Sequence, residues 1–393
     1  MTQKLWVLSE LFYPDQTSTG YIMTEIAGSL ASDRPVHVIC GPEGYVSANI
    51  DSETRLSENI FIERVSIGNW DKNKVFSRIV RMILLTLKMS LKIYRQAKPG
   101  DKVLMVTNPA PLLLLVSGIC KWKKVKLIII VHDVFPENLR AAKMVNDSSL
   151  IYKLLQRLFN SAYKSANLLI VLGRDMQKIM IEKTALPAQS IRVIENWADT
   201  EKVYPLIAES AGPLKLQFAG NFGRVQGLIP LLEALNEAQN DQIKMDFIGD
   251  GAMLESMQDY LLHHKLMNVS ILPPFNRSEQ LSVLNNCDIS VVSLADGMVG
   301  LGVPSKAYNI LAAGKPILFI GDSNSEIGIM VREHHIGWVF PEFGADLISF
   351  LKTLRPEFRP DIKHMGIAAR KLAEVKYNKS IILYSYKNAI EAA

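Results

Sequence analysis

A glycine-rich turn near the middle of the chain has the residue types that bind phosphate groups. FAGNFGRVQG (218–227) follows an apolar run and precedes a helical pattern, so backbone amides can approach an anion closely where glycines remove side chains. Gly223 lies inside this turn, and Arg224 adds a planar guanidinium that can grip two phosphate oxygens. The spacing matches neither a Walker loop nor the dinucleotide-binding G-x-G-x-x-G. The turn predicts a phosphate-binding loop, with a plain glycine-rich turn as the alternative.

A lysine at the start of a short helix is the second candidate, in GLGVPSKAYNILAAGKPIL (300–318). Pro304 suits the first turn of a helix, and Ser305 and Lys306 lie near its positive end. The helix is short and apolar, so we expect it to be buried with its first turn directed into a cleft. Lys306 is then predicted to neutralise an anion. A surface lysine with its ammonium in solvent is the alternative.

An imidazole and a carboxyl group follow a very apolar run in VHDVFPENL (131–139). His132 and Asp133 come at the carboxyl end of a predicted parallel strand, where open α/β sheets bind ligands. Glu137 is a further acid in the same loop. A purely structural histidine is the alternative for His132.

Two other turns contribute glycines. In PDQTSTGYIMTEIA (14–27), Gly20 is predicted to open a helix whose free amides, with Ser18 and Thr19, face a phosphate. In DFIGDG (246–251), Gly249 follows another apolar run. Each turn is individually weak evidence for a ligand.

The elements that position these residues alternate as strands and helices, which is typical of parallel α/β sheets. The pattern runs once through each half and restarts after Pro205–Pro213. We therefore expect an α/β protein of two doubly wound, Rossmann-like domains facing a cleft. The predicted domains are 1–204 and 205–375, and a helix at 376–393 is expected to pack back on the first. The predicted strands are 5–9, 36–40, 60–65, 102–107, 126–131, 168–172, 191–196, 214–220, 244–251, 269–274, 289–294, 316–321 and 337–340.

Composition supports this reading of the 393 residues. With 48% hydrophobic and 21% charged residues, the chain is globular, and its length suggests two domains. The three cysteines are widely separated, which favours a reducing compartment. The first residues do not resemble a signal peptide, and the longest apolar run contains prolines and is too short to span a bilayer. We expect a cytoplasmic protein.

The net charge of +5 is unevenly distributed. Residues 1–200 hold 26 Lys and Arg against 18 Asp and Glu, whereas residues 201–393 hold 18 against 21. The excess is concentrated in a predicted amphipathic helix at 74–98, which carries basic residues on one arc and few acids. Docking on an anionic membrane surface and a core-packed helix with a solvated face are the two interpretations. Nucleic acid is disfavoured, because no interleaved aromatic pattern accompanies the basic residues. The predicted basic arc comprises Lys74, Arg78, Arg81, Lys88, Lys92 and Arg95.

Taken in order, these segments resemble glycosyltransferase family 4, a group of GT-B enzymes, over nearly the whole chain. VPSKAYNILAAGKPIL is similar to the P-S-K-x-Y-E segment of bacterial polysaccharide-assembly members. A subgroup of these members has P-S-K-x-Y-N, which is the pattern of this chain. VHDVFPENL resembles their H/Q-D-x-x-P-E segment, and ENWAD (195–199) their N-x-x-D. The resemblance implies catalytic roles for His132, Asp133, Arg224 and Lys306. It implies donor binding by Gly20, Asn221, Gly223, Gln226, Gly249, Ser305, Tyr308 and Asn309.

Two departures from the family pattern concern charge. The usual G-R-x(4)-K-G would place Arg at Asn221 and Lys at Gln226, and Arg224 is expected to supply the displaced charge. The usual pair of glutamates would fall on Leu301 and Asn309, so neither carboxylate is present. Asn309 can still hydrogen-bond a ribose hydroxyl, whereas Leu301 cannot contact a sugar hydroxyl in that way.

The resemblance implies a retaining hexosyl or N-acetylhexosaminyl transferase that uses a nucleotide-sugar, with UDP as the expected nucleotide, in bacterial surface polysaccharide synthesis such as lipopolysaccharide or capsule. The acceptor is expected to be a saccharide or a polyprenyl-linked saccharide at the inner face of the plasma membrane. No metal or other cofactor is expected, because lysine, arginine and a helix dipole take the part of a cation. A nucleotide-sugar epimerase and an inactive sugar-nucleotide-binding partner remain alternatives. A dehydrogenase is disfavoured by the missing fingerprint glycines.

Overall fold

The computed structural model describes residues 3–43, 56–68, 75–206 and 212–393, apart from a few side chains at the start of the 75–96 helix. These residues form two compact units. The first comprises Met1–Ile194 and Leu383–Ala393, and the second comprises Glu195–Ile382. The sequence prediction placed the division at 204, whereas the structure assigns residues 195–204 to the second unit. The physical reason is that Ala198 bonds to Tyr377 and Asp199 to Asn309, so this segment packs within the second unit.

The described residues of the first unit form a seven-stranded parallel sheet in the order β3-β2-β1-β4-β5-β6-β7. Most of its strands are apolar runs that are buried because helices cover both faces of the sheet, whereas the edge strand at 60–64 is only partly buried. The strands are β1 Leu5–Ser9, β2 Val36–Cys40, β3 Ile60–Arg64, β4 Lys102–Val106, β5 Lys126–Val131, β6 Leu168–Val171 and β7 Ile191–Val193. The helices are α1 Ser18–Ala31, α2 Val75–Gln96, α3 Ala110–Lys123, α4 Glu137–Ala141, α5 Leu150–Lys164 and α6 Arg174–Thr184.

The second unit repeats this design with a six-stranded parallel sheet in the order β10-β9-β8-β11-β12-β13. The strands are β8 Leu214–Ala219, β9 Ile243–Ile248, β10 Val269–Leu272, β11 Ile289–Ser293, β12 Ile317–Ile320 and β13 Gly337–Phe340. The helices are α7 Leu228–Ala238, α8 Leu254–His264, α9 Gln280–Asn285, α10 Lys306–Ala312, α11 Glu326–His334, α12 Ala345–Thr353, α13 Arg359–Val375 and α14 Lys379–Ala392. The α/β class and two Rossmann-like sheets are as predicted.

Strand order reverses once in each sheet, and this reversal determines where ligands can bind. In the first sheet it falls between β1 and β4, and in the second between β8 and β11. Open α/β sheets bind ligands outside the carboxyl ends of the strands at such a switch point. The loops that follow β8 and β11 carry the glycine-rich turn and Lys306.

Most of α14 packs on the first unit, where basic side chains contact the last turn of the helix. Lys102 Nζ donates to the carbonyl oxygens of Ile390 and Glu391, both at 2.9 Å, and so satisfies groups that a helix end leaves unpaired. Arg34 pairs with the Glu391 carboxylate at 3.2 Å. These contacts tie the last helix to the first sheet.

Three basic side chains of helix α2 contact oxygen atoms elsewhere in the first unit. Arg81 lies 4.0 Å from the Glu10 carboxylate, and Lys88 Nζ donates to the Ser66 carbonyl oxygen at 2.6 Å. Lys92 forms an ion pair with Glu63. Lys74 and the side chain of Arg78, which belong to the predicted basic arc, lie outside the described residues. Across the described residues, no helix combines the length and hydropathy that a bilayer crossing requires.

Candidate functional site

The glycine-rich turn at 220–227 is held against the ends of two neighbouring strands. Gly220 N donates to the Ile248 carbonyl oxygen at 2.9 Å, which ties the turn to the end of β9. Ser293 Oγ donates to the Gln226 carbonyl oxygen at 2.6 Å, which ties it to the end of β11. The loops after β8, β9 and β11 therefore meet at the switch point of the second sheet.

Glycine is required where these loops touch. A Cβ atom on Gly249 would lie 1.9 Å from the Gly220 carbonyl oxygen, so no larger residue fits between β8 and β9. A Cβ atom on Gly223 would lie 2.5 Å from Gln226 Oε1 and 2.9 Å from Asn221 Nδ2. The side chains of Asn221 and Gln226 thus fold over the backbone of Gly223, and the turn is compact without any side chain at its centre.

The ammonium group of Lys306 projects into this loop cluster. Its Nζ lies 3.2 Å from the ring centroid of Phe218, the buried residue two positions before Gly220, in a cation–π contact. A Cβ atom built on Gly220 would lie 3.9 Å from the same nitrogen, so Lys306 faces a backbone without side chains. Within the described residues, Lys306 has neither a hydrogen-bond acceptor nor a carboxylate partner. Burial lowers the pKa of Lys306 well below its ordinary value.

Arg224 and Asn221 occupy the exposed rim of the same turn. The Arg224 side chain is exposed, and no ion pair or hydrogen bond engages it in the part of the chain that the structure describes. Gln226 Oε1 is buried and likewise lacks a donor among the described residues. Arg224 is therefore exposed at the surface of the turn, the ammonium of Lys306 lies within the loop cluster, and no carboxylate of the described residues neutralises either cation.

Two of the predicted donor-binding residues on the Lys306 segment have other surroundings. Tyr308 is fully buried and packs edge-on against Tyr377, with ring centroids 5.0 Å apart, so its side chain lies in the core and its contact with the donor stays a prediction. Ser305 precedes α10, and its hydroxyl does not cap that helix. Lys306, which lies between them in sequence, projects toward the glycine-rich turn.

Asn309 holds two segments of the second unit together. Its Oδ1 accepts a hydrogen bond from Asp199 N at 2.9 Å, and its Nδ2 donates to Gln280 Oε1 at 3.4 Å. The amide therefore anchors the ENWAD segment, a role that the sequence did not predict. Leu301, which stands where the family has the first glutamate, is buried.

His132 and Asp133 follow β5 in the first unit, and the side chain of Thr107 holds their backbone amides. Thr107 Oγ1 accepts hydrogen bonds from the amides of His132 at 3.2 Å and Asp133 at 3.1 Å. Burial lowers the pKa of His132 to about 4, so the ring is neutral at physiological pH. Its Nε2 is buried and has no partner among the described residues.

The Asp133 carboxyl group is placed to exchange a proton. Burial raises the pKa of Asp133 to about 6, and a hydrogen bond from Asn138 Nδ2 at 2.9 Å opposes this shift. A carboxyl group with such a pKa changes charge close to neutral pH. The neutral imidazole and this carboxyl group together form a polar, titratable site at the carboxyl end of β5.

Glu137, the other acid of this loop, is a structural residue. Its Oε1 pairs with Lys183 Nζ at 2.6 Å, and both side chains are at least nine-tenths buried. Gln156 Nε2 donates to the same oxygen at 3.3 Å. Glu137 thus joins α4 to α5 and α6 and supports the loop that carries His132.

Gly20 does not open its helix as predicted. Helix α1 begins at Ser18, and the Gly20 amide donates to the side chain of its N-cap, Thr17, at 3.3 Å. A Cβ atom on Gly20 would lie 2.7 Å from the Asp15 carbonyl oxygen. The close packing of this turn explains the glycine, and the predicted free amide is already satisfied.

Three supporting residues escaped the sequence analysis. Phe218 lies under Lys306, Ser293 fastens the glycine-rich turn, and Thr107 orients the His132 loop. Thr107 and Ser293 could have been found, because each is a polar residue at the end of an otherwise apolar strand beside the switch point.

Among the described residues, no three His, Cys, Asp or Glu side chains come close enough together to hold a metal ion.

Two parallel sheets of this order, each with polar loops at its switch point, are the architecture of GT-B glycosyltransferases. Residues 25–202 match the family profile described as Glycosyltransferase Family 4, and residues 207–351 match the profile described as Glycosyl transferases group 1. The probable glycosyltransferase WbjE of Pseudomonas aeruginosa is 33% identical over 392 residues, covering 98% of this chain and 96% of that protein. The chain belongs to glycosyltransferase family 4.

Solved structures support the fold. The structure of Alr3699/HepE from Anabaena in complex with UDP superposes with a TM-score of 0.72 at 13% identity, covering 100% of both chains. WaaG, a glycosyltransferase involved in lipopolysaccharide biosynthesis, superposes with a TM-score of 0.69 at 12% identity, covering 98% of this chain and 99% of that one. At these identities the likeness establishes the GT-B fold alone.

Proposed function

We propose that this glycosyltransferase takes its sugar from a nucleotide diphosphate donor, whose diphosphate lies against the glycine-rich turn, Lys306 and Arg224. The observation that carries the proposal is the ammonium of Lys306, which lies against the Phe218 ring, faces Gly220 and has no counter-ion among the described residues. A buried charge is normally paired, because an unpaired one is strongly unfavourable. A bound diphosphate would supply the missing negative charge.

These groups would act most strongly when the glycosidic bond to the donor breaks. Negative charge then grows on the leaving diphosphate, and fixed cations aimed at it lower the barrier. Lys306 contributes a desolvated positive charge, and Arg224 contributes a forked guanidinium from the rim. These two side chains provide the charge that a divalent cation provides elsewhere, so we propose transfer without a metal.

His132 and Asp133 are proposed to act on the sugar and the acceptor. His132 is neutral and can donate or accept a hydrogen bond with a sugar hydroxyl through Nε2. Asp133 can bind or release a proton close to neutral pH. The family resemblance supports retention at the anomeric carbon, which NMR of the product's anomeric signal would test.

The acceptor is proposed to be a saccharide carried by a polyprenyl lipid at the inner face of the membrane. Support comes from the relatives, since WaaG is described as acting in lipopolysaccharide biosynthesis and the Anabaena structure contains UDP. UDP is accordingly the first nucleotide to test. We propose a cytoplasmic protein that reaches this acceptor as a peripheral protein, with α2 among its membrane contacts.

The test is donor turnover and nucleotide binding by the purified full chain. A thermal-shift screen of nucleoside diphosphates identifies the nucleotide, because a ligand at a hundred times its Kd adds about 2.7 kcal/mol to stability. Lys306→Ala and Arg224→Ala are each expected to lower transfer about a hundredfold, as removal of a single charge-stabilising donor does. Lys244→Ala, an exposed lysine of the same unit, is the matched control and should transfer at the wild-type rate.

Transfer within about twofold of wild type in both variants would overturn the diphosphate assignment. If transfer is lost while the affinity for the nucleoside diphosphate is unchanged, Lys306 and Arg224 would be assigned to the acceptor site. That result also contradicts the proposal. Product formed with inversion would refute the stereochemical part while leaving the donor site intact.

A further inference from the structure

The outer surface of the first unit is unusually apolar along three helices. On α2, Leu87 is 53% exposed, whereas Met89 on the opposite face is fully buried. On α5, Leu150 is 83% exposed. Exposed apolar side chains in contiguous patches of this kind mark interaction surfaces. The full set is Ile79, Ile83, Leu87, Leu91 and Tyr94 on α2, Leu115 and Trp122 on α3, and Leu150, Ile151, Leu154 and Leu158 on α5.

These three helices form one layer. Each belongs to a crossover between parallel strands that runs in the same direction across the sheet, from β3 toward β6, and right-handed crossovers then place the helices on one face. Helix α2 packs against α3, and α3 packs against α5. The exposed side chains of the three helices therefore share one outer surface, which we call the apolar layer face.

An aromatic pair lies where α2 and α3 end. The rings of Tyr94 and Trp122 stack with centroids 5.6 Å apart, and Trp122 is 68% exposed. Lys123 Nζ lies 5.5 Å from the centre of the Tyr94 ring. Tryptophan and tyrosine beside lysines are typical of side chains that reside at the boundary between lipid headgroups and acyl chains.

A lysine-rich cavity of about 540 Å³ lies at the ends of α3 and α5, and its lining includes Lys121, the residue before Trp122. Lys121, Lys124 and Lys164 line it from the ends of α3 and α5, and within the described residues none of the three forms an ion pair or a side-chain hydrogen bond. Lys126, also in the lining, donates to the carbonyl oxygen of Ala393 at 2.7 Å. Ser161, Ser165 and Asn167 complete the polar lining, and no carboxylate side chain is part of it.

We propose that the apolar layer face lies on an anionic bilayer, with its leucines, Tyr94 and Trp122 inserted at the acyl boundary and the lysine cavity holding a lipid headgroup phosphate. Charge complementarity selects this occupant, because lysines without carboxylate partners border apolar side chains on the same helices. In such an arrangement the lysines complement the anionic headgroups of a leaflet and the apolar side chains complement its acyl chains. The contact therefore reaches well beyond α2, three of whose basic side chains contact oxygen atoms elsewhere in the first unit. The inference rests on the proposed function only for its purpose, which is to bring the enzyme to a lipid-linked acceptor.

The test is co-sedimentation of the full chain with vesicles, without donor or acceptor. Wild-type protein should bind vesicles containing phosphatidylglycerol at least about tenfold more tightly than pure phosphatidylcholine vesicles, since each basic residue near the surface strengthens binding. Lys121→Gln/Lys124→Gln/Lys164→Gln should lose about tenfold or more of this affinity. The matched control, Lys244→Gln/Lys265→Gln/Lys352→Gln, replaces exposed lysines of the second unit and should bind as wild type. Lys265, like Lys124, is a helix C-cap residue with positive φ, so backbone effects are matched.

Insertion is tested separately from charge. Leu87→Glu/Leu154→Glu should abolish binding, whereas Leu262→Glu/Ile367→Glu, at exposed helical positions of the second unit, should not. If the first of these pairs does not fold, Trp122 provides a second readout. Brominated lipids should quench the fluorescence of wild-type protein, and Trp122→Phe should remove most of that quenching.

Three results would overturn the inference. The lysine and leucine variants could bind anionic vesicles as tightly as wild type. Inorganic phosphate could bind the lysine cavity while vesicles do not, which would assign the site to a free anion. The protein could be a dimer in vesicle-free buffer that Leu87→Glu/Leu154→Glu dissociates, which would assign the face to a second copy. Vesicle binding by a protein that turns over no nucleotide-sugar would retain this inference and refute only the proposed function.

Discussion

The ammonium groups of Lys183 in the first unit and Lys306 in the second are both withdrawn from solvent, and the two have opposite surroundings. In the first unit, Lys183 is paired with Glu137 at 2.6 Å. Burial lowers the pKa of Lys183, and the Glu137 carboxylate opposes that shift. In the second unit, burial lowers the pKa of Lys306. Within the described residues no carboxylate opposes that shift, and the ammonium group contacts the Phe218 ring.

The difference separates structural charge from functional charge. A pair such as Glu137–Lys183 neutralises the charge of both partners and holds three helices together. A cation such as Lys306 is expected to destabilise the free protein and, under the proposed function, to be neutralised by the donor diphosphate, since binding sites often hold such groups. The two lysines are therefore expected to respond to mutation with opposite signs.

The largest expected effect is the loss of the paired lysine. Lys183→Met leaves the Glu137 carboxylate buried without a counter-charge and should lower the free energy of unfolding by about 3 kcal/mol. Urea denaturation at pH 7.5 measures this effect. Glu137→Gln/Lys183→Met, which removes both charges, should recover most of the loss. If the single variant is as stable as wild type, the pair is not the structural element described here.

Replacement of Asp133 is expected to change the free energy of unfolding by a smaller amount, and to raise it. Its pKa rises from 3.8 to about 6 through burial, so between these values the unfolded chain loses its proton while the folded chain keeps it. Stability then falls as pH rises through this window and stays low above it. Asp133→Asn should therefore raise the free energy of unfolding by about 2 kcal/mol at pH 7.5 and change it little at pH 4, while transfer falls. An equal gain at both pH values would contradict the shifted pKa.

Removal of the unpaired lysine should stabilise the ligand-free protein by about 1 kcal/mol or more at pH 7. Because burial lowers the pKa of Lys306, the unfolded chain binds more protons in the alkaline range, and wild-type stability rises with pH there. The gain in Lys306→Met should consequently shrink as the pH rises toward 10. Destabilisation by Lys306→Met at pH 7 would show that the ammonium is satisfied within the protein.

The smallest effect is expected for Tyr308. Its ring lies in the core beside Tyr377, so Tyr308→Phe should leave the KM for the donor and kcat within about twofold of wild type. Steady-state kinetics with the preferred nucleotide-sugar measures both constants. A tenfold rise in KM with unchanged stability would instead indicate that the Tyr308 side chain contacts the donor.

Much of the fold could be predicted because parallel sheets leave a simple pattern. Runs such as KLIIIV (126–131) are apolar throughout, since helices cover both faces of a parallel strand. Each predicted strand corresponds to an observed one, with ends that differ by up to three residues. The pattern did not locate the division of the chain, because the packing of residues 195–204 on the second unit depends on contacts distant in sequence.

The candidate site was less predictable, because its residues are defined by the directions of their side chains. At 100° per residue, Tyr308 lies about 200° around α10 from Lys306, so their side chains point to different sides of the helix. The amphipathicity of α2 was visible, but the sequence could not show that Glu10, Glu63 and Ser66 would bind its basic arc.

The most direct test of the account is calorimetric titration of the protein with UDP, or with the preferred nucleotide, in two buffers of different ionisation enthalpy. If the diphosphate restores the charge of Lys306, binding raises the pKa of that ammonium group and takes up a proton at pH values above its free-state pKa. We predict net proton uptake in wild-type protein that disappears in Lys306→Met, together with an affinity at least about tenfold lower. Unchanged affinity and identical proton uptake in Lys306→Met would contradict the account.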